Sequence, residues 1–142
     1  MSTPLLCLIG YVLWTIVLVL AVAGQRVAQV LTGKKAPNAF PSGVQHGSDA
    51  YWRANRAHVN AAENLPMFAA VVLVGALTSA DTDPHFGTLA VVTLCARVAQ
   101  SCIHLASGSA SAVNLRFTAF CVQLGCIVWM SVLLIQRAAT LG

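Results

Sequence analysis

Charge is scarce in this chain. Of 142 residues, 8% are Asp, Glu, Lys or Arg, against roughly a quarter in an ordinary soluble domain. Eight basic and four acidic side chains cannot keep a sequence that is 58% hydrophobic in water. The same composition excludes an intrinsically disordered chain, a collagen-like fibre and a disulfide-rich secreted scaffold. The net charge is +4, yet Lys34-Lys35 is the one basic run, so nucleic-acid binding lacks an electrostatic footprint. Five cysteines, at positions 7, 95, 102, 121 and 126, make an odd number in apolar stretches. No CxxC or Cys/His spacing suggests zinc or any other metal, and the cysteines read as buried and reduced. Met1–Gly10 carries no Lys or Arg, and the apolar run that follows is too long for the core of a signal peptide, despite the small residues Ala21-Val22-Ala23. It reads as a retained transmembrane helix. Polar residues do not alternate with apolar ones, which argues against a membrane β-barrel.

What the chain has instead is four long apolar segments. Leu5–Gly24 is twenty residues without a charge, enough to cover about 30 Å of hydrocarbon as a helix. The sequence predicts an all-α membrane protein, a single domain over 1–142, with spans at about 5–31, 51–80, 84–105 and 115–137. Short connections at Asp81-Thr82-Asp83-Pro84 and Ser107–Ser111 imply an up-down four-helix bundle. The long connection, Thr32–Ala50, is rich in Gly, Pro, Asn and Lys and should lie outside the hydrocarbon. With Lys34 and Lys35 in the first loop and Asp81 and Asp83 in the second, the positive-inside rule places the first loop in the cytoplasm and both termini outside.

Six charged residues fall within these spans: Arg26, Arg53, Arg56, Glu63, Arg97 and Arg116. Intramembrane charges are costly and usually face an interior or a wet cavity. At about 100° per residue, Arg53, Arg56, Asn60, Glu63 and Asn64 share one arc of the second helix. Arg97, Gln100, Ser101 and His104 form a stripe on the third, and Arg116 aligns with Gln123 on the fourth. Up-down topology puts all five arginines in the half of the bundle nearest the first and third loops, implying a shared polar pocket there. Arg26, Arg53 and Arg116 could instead snorkel to headgroups, but Glu63 and Arg97 lie too deep for that. Five arginines against one glutamate call for an anionic ligand, because uncompensated charge is unfavourable at low dielectric. The planar guanidinium fork suits carboxylate or phosphate, and Glu63 could accept an ammonium or balance an arginine.

The run Arg56-Ala57-His58-Val59-Asn60-Ala61-Ala62-Glu63-Asn64-Leu65-Pro66 follows the pattern R-A-x-x-N-x-x-E-x-x-P. In this it resembles the MAPEG family, the membrane-associated proteins in eicosanoid and glutathione metabolism, and its compact form looks more like the bacterial members, which would place it in an inner membrane. The resemblance implies a homotrimer of four-helix bundles binding glutathione at subunit interfaces, with no metal. It carries the family's glutathione contacts to Arg56, Asn60 and Glu63, with Arg53 one turn earlier and Arg97 on the third helix. His104 stands where the family has a tyrosine, Gln100 at a second contact, and Arg26 at a late first-helix arginine. Arg116 corresponds to the catalytic arginine that stabilises the glutathione thiolate. The implied activity is a membrane-bound glutathione-dependent transferase or peroxidase, acting on hydrophobic electrophiles or lipid hydroperoxides drawn from the bilayer. The alternative is a non-catalytic lipid or fatty-acid binding protein of the same fold. A small transporter with an arginine-lined anion path ranks third.

Overall fold

In a computed structural model that describes residues 1–41 and 43–141, the chain forms four long helices. They are α1 (Thr3–Leu31), α2 (Asp49–Leu77), α3 (Pro84–Ala106) and α4 (Ala110–Leu141), with one short 3-10 turn, Ala80–Thr82, between α2 and α3. Each long helix is apolar and long enough to cross a bilayer. At 1.5 Å per residue, the 29 residues of α1 reach roughly 44 Å, so the helices outrun the hydrocarbon.

Local signals set the helix ends. Pro4 sits in the first turn of α1, where its missing N–H costs nothing. At the other end Gly33 takes φ +67°. The Gly33 amide then donates to the Val30 carbonyl at 3.0 Å and the Lys34 amide to that of Gln29 at 2.9 Å. This is a Schellman closure, and it requires the left-handed glycine. Ser48 caps α2 by accepting from the Tyr51 amide at 3.2 Å. Asp83 caps α3 by accepting from the His85 amide at 2.7 Å, with Pro84 next to it.

Several expected boundaries move, α4 among them running on to Leu141 instead of ending near residue 137. The second span ends at Leu77 instead of Ala80, because Ser79 turns left-handed (φ 55°) and Ala80–Thr82 tightens into the 3-10 turn. The fourth helix begins at Ala110, not near residue 115, because Ser109 acts as its cap: its Oγ accepts from the Ala112 amide at 3.3 Å and its carbonyl from the Val113 amide at 3.0 Å. The serine-rich loop shrinks to Ser107–Ser109, and Arg116 lies in the second turn of α4 instead of at its start.

α3 packs most extensively against α4, and α1 against α2; α3 also packs on α1 and on α2, whereas among the described residues the α1 and α4 backbones do not approach each other. The bundle is therefore a rhombus with α2 and α3 across its short diagonal. The core joins Cys7, Tyr11 and Leu18 of α1, Phe68 and Val72 of α2, Phe86 and Ala90 of α3, and Ile127 and Met130 of α4. One contact is unusually close. A Cβ on Gly75 would lie 2.6 Å from Cζ of Phe86, so only glycine lets α2 approach α3 here. The outward faces are apolar: Leu6, Leu13, Leu20 and Val27 repeat every seven residues along α1, and Phe117, Leu124, Val128 and Trp129 line α4, all exposed. Such faces belong against lipid tails.

Candidate functional site

The weakest helix–helix contact in the rhombus is between α2 and α4. Over α3, in the gap between them, a groove opens. One part, of about 350 Å³, is lined by Arg56 and Asn60 of α2, Gln100 and His104 of α3, and Val113, Arg116, Phe117 and Phe120 of α4. A second part, of about 250 Å³, shares Arg56, Asn60 and His104 and adds Val59 and Glu63. Each is near the lower end of the size of small-molecule clefts. Six of the residues singled out in the sequence meet here: Arg56, Asn60, Glu63, Gln100, His104 and Arg116. Helical spacing accounts for this, since Arg56, Asn60 and Glu63 recur at intervals of four and three on α2, and Gln100 and His104 at four on α3.

Arg97 lies behind the groove. Its side chain is 1% exposed, and its Nη1 donates to Oδ1 of Asn60 at 2.6 Å. The guanidinium carbon stands 5.5 Å from the centroid of the Tyr11 ring, a cation–π distance. The Tyr11 hydroxyl in turn donates to the Ala61 carbonyl at 3.3 Å. The Nε and Nη2 of Arg97 are buried without a partner among the described residues. Thus the Asn60 bond is the direct side-chain hydrogen bond of a buried cation.

These inner bonds orient the amides that face the groove. Arginine can only donate, so Asn60 must turn Oδ1 inward to Arg97 and keep its Nδ2 as the remaining polar group. Gln123 of α4 donates from Nε2 both to the Ala119 carbonyl at 3.1 Å and to Oε1 of Gln100 at 2.9 Å. Gln100 likewise keeps its Nε2 hydrogens. The groove is consequently rich in donors: two guanidinium groups and two amide NH₂ groups, with Glu63 its one carboxylate. His104 stands among them. Arg56 and Glu63 are exposed on the outer face of a membrane-crossing helix.

The other two arginines go elsewhere in this chain. Arg53 donates from Nε to the Leu105 carbonyl at 3.1 Å, tying the start of α2 to the end of α3. Arg26 donates from Nε to the Tyr51 hydroxyl at 2.7 Å, linking the end of α1 to the start of α2. Neither lines the groove, although both occupy the level expected from the up-down order. Asn64, at the edge of the polar arc, is buried and donates to the Asn60 carbonyl at 2.7 Å. Among the described residues no three His, Cys, Asp or Glu side chains cluster to hold a metal ion.

Sequence reasoning did not single out the apolar wall of Val113, Phe117 and Phe120, nor Tyr11 as a support for Arg97. Tyr11 had a signal: a phenol within a charge-free span needs an internal partner. The aromatic wall had none, because Phe on a lipid-facing helix is ordinary.

Four spanning helices around polar residues that emerge on one side of the bundle define an integral, multi-pass membrane protein. The model of the MAPEG family matches residues 4–136, nearly the whole chain, and the protein belongs to that family. No curated protein matches it.

Proposed function

We propose that the groove binds glutathione and presents its sulfur as a thiolate to a hydrophobic electrophile or lipid hydroperoxide from the bilayer. Family membership supports a glutathione-related or eicosanoid-related role. The observation that carries the finer reading is the donor-rich groove. Glutathione brings two carboxylates, one ammonium and one thiol. Arg56 and the oriented amides of Asn60 and Gln100 suit the carboxylates, and Glu63 suits the ammonium. Arg116 comes from the opposite wall, beside Phe117 and Phe120. A thiol becomes nucleophilic as its anion, and an adjacent guanidinium favours that anion. The sulfur then attacks the electrophile held on the apolar wall, forming the S–C bond as the leaving group departs, while the thiol proton passes to water. With a hydroperoxide it attacks the terminal peroxide oxygen, and the O–O bond breaks to release the alcohol. A second glutathione then converts the glutathione sulfenic acid to glutathione disulfide and water. The protein's own cysteines take no part.

The exposure of Arg56 and Glu63 argues for a partner over that face, since lipid tails offer no hydrogen bonds. A second and third copy of the chain, assembled as a homotrimer, would cover it and complete the site. Calorimetric titration of the detergent-purified protein with glutathione and with S-hexylglutathione tests the reading. Saturable binding of both supports it, with the hexyl tail adding affinity through the apolar wall. Absence of binding to both overturns it.

A further inference from the structure

Beside the end of α1, the first loop folds back and leaves another opening, of about 330 Å³. Its walls include Arg26, Val27, Leu31, Pro37, Asn38 and Phe40. It has a polar and an apolar side. Arg26 donates from Nε to the Tyr51 hydroxyl, and among the described residues the terminal nitrogens of its fork have no hydrogen-bond partner. Its guanidinium carbon is flanked by the Phe40 ring at 5.5 Å and the Tyr51 ring at 5.9 Å. Lys35 adds its ammonium 5.4 Å from the Phe40 centroid. Val27 and Leu31, both exposed, continue the apolar stripe of α1 that faces the lipid tails.

We infer that this opening is a binding site for an anionic phospholipid. The phosphate would sit on Arg26 and Lys35, and an acyl chain would run down Val27 and Leu31. Charge complementarity supports this occupant: residues 32–48 contain Lys34 and Lys35 and neither Asp nor Glu. Position supports it too. The site lies where α1 ends and α2 begins at Asp49, with Tyr51 and Trp52 in the first turn of α2, the level at which aromatic residues mark the membrane–water boundary. A soluble anion would have no use for the apolar wall, and a zwitterionic lipid would bring its own cation against the two basic groups, Arg26 and Lys35. The inference takes Arg26 out of the glutathione contacts that the resemblance implies and leaves the α2–α4 groove, which Arg26 does not line, as described.

Native mass spectrometry of the detergent-purified protein tests it. Phosphatidylglycerol and phosphatidylcholine with identical acyl chains are titrated separately, and inorganic phosphate is then added as a competitor. A basic residue near an anionic lipid surface contributes about fivefold in affinity. Phosphatidylglycerol should therefore be retained several-fold better than phosphatidylcholine by the native protein. Arg26→Gln should reduce that preference about fivefold or more, and phosphate should not displace the lipid. The loop variant Lys34→Gln/Lys35→Gln, altered outside the helices and so not in the bundle core, should also weaken the preference. Equal retention of the two lipids by the native protein would overturn the inference. So would an undiminished preference in both variants, or displacement of the lipid by phosphate.

Discussion

The pair formed by Asn60 and Arg97 offers the most quantitative test of the bundle interior. Arg97 is 1% exposed and donates one side-chain hydrogen bond, 2.6 Å long, to Oδ1 of Asn60. A hydrogen bond to a charged group contributes about 1.5–3 kcal/mol, and a buried donor left unpaired costs a similar amount. Asn60→Leu removes the acceptor and leaves the cation, so it should destabilise the protein by about 2–3 kcal/mol. Arg97→Met removes the cation while Asn60, which faces the groove, can turn to water; this change should cost no more than about 1 kcal/mol. In the double variant the cation is gone and an apolar pair fills the space, so the Asn60→Leu loss should largely vanish. Replacing a buried charge with apolar volume is often neutral or stabilising. The coupling energy of the cycle would then be about 2 kcal/mol or more. The measurement is helix content followed by circular dichroism as a denaturing detergent is mixed into mild-detergent micelles. Additive losses, with the double variant no more stable than Asn60→Leu, would refute the assignment of Asn60 as the partner of a buried cation.

Other expectations follow from the same geometry. Arg116→Ala should lower glutathione-dependent turnover by about 10²-fold while leaving glutathione affinity within a few-fold; a headgroup anchor would change neither rate nor affinity in steady-state and calorimetric assays. Glu63→Gln should weaken glutathione binding more than Asn64→Ala, because Glu63 is the groove's carboxylate and Asn64 is buried against the Asn60 carbonyl; equal affinities for the native protein and both variants would make this face structural. Gly75→Ala would place a Cβ 2.6 Å from the Phe86 ring and should cost about 1–3 kcal/mol of stability in the same unfolding assay. Chemical cross-linking in mild detergent should yield trimers, and a clean monomer that still binds glutathione would remove the argument for a covered α2 face.

The helices were legible because lipid demands one kind of answer from the sequence: long apolar runs with all backbone groups satisfied internally. Their ends were less so. Ala110–Asn114 reads as a continuation of a serine-rich loop until Ser109 is seen to cap the helix, and Ala80 reads as span until Ser79 turns left-handed. The polar arc on α2 was visible from helical period, and Arg56, Asn60 and Glu63 do share the groove. That Arg26, Arg53 and Arg97 stay out of the groove was not legible, because periodicity reports a direction on one helix and not which neighbour lies there. Tyr51, Leu105 and Asn60 decide their fates, across separations of 25, 52 and 37 residues. The apolar wall on α4 was hidden for a different reason. A phenylalanine facing a ligand and one facing lipid leave the same mark in a hydrophobic segment.

The most direct test of a thiolate-binding groove is the ultraviolet absorption of the thiolate itself, recorded as a difference spectrum when glutathione is added near neutral pH. The native protein should generate a thiolate band that saturates with glutathione, and Arg116→Ala should bind glutathione while losing most of that band. Bound glutathione that shows no thiolate on the native protein, or a band undiminished in Arg116→Ala, would contradict the account.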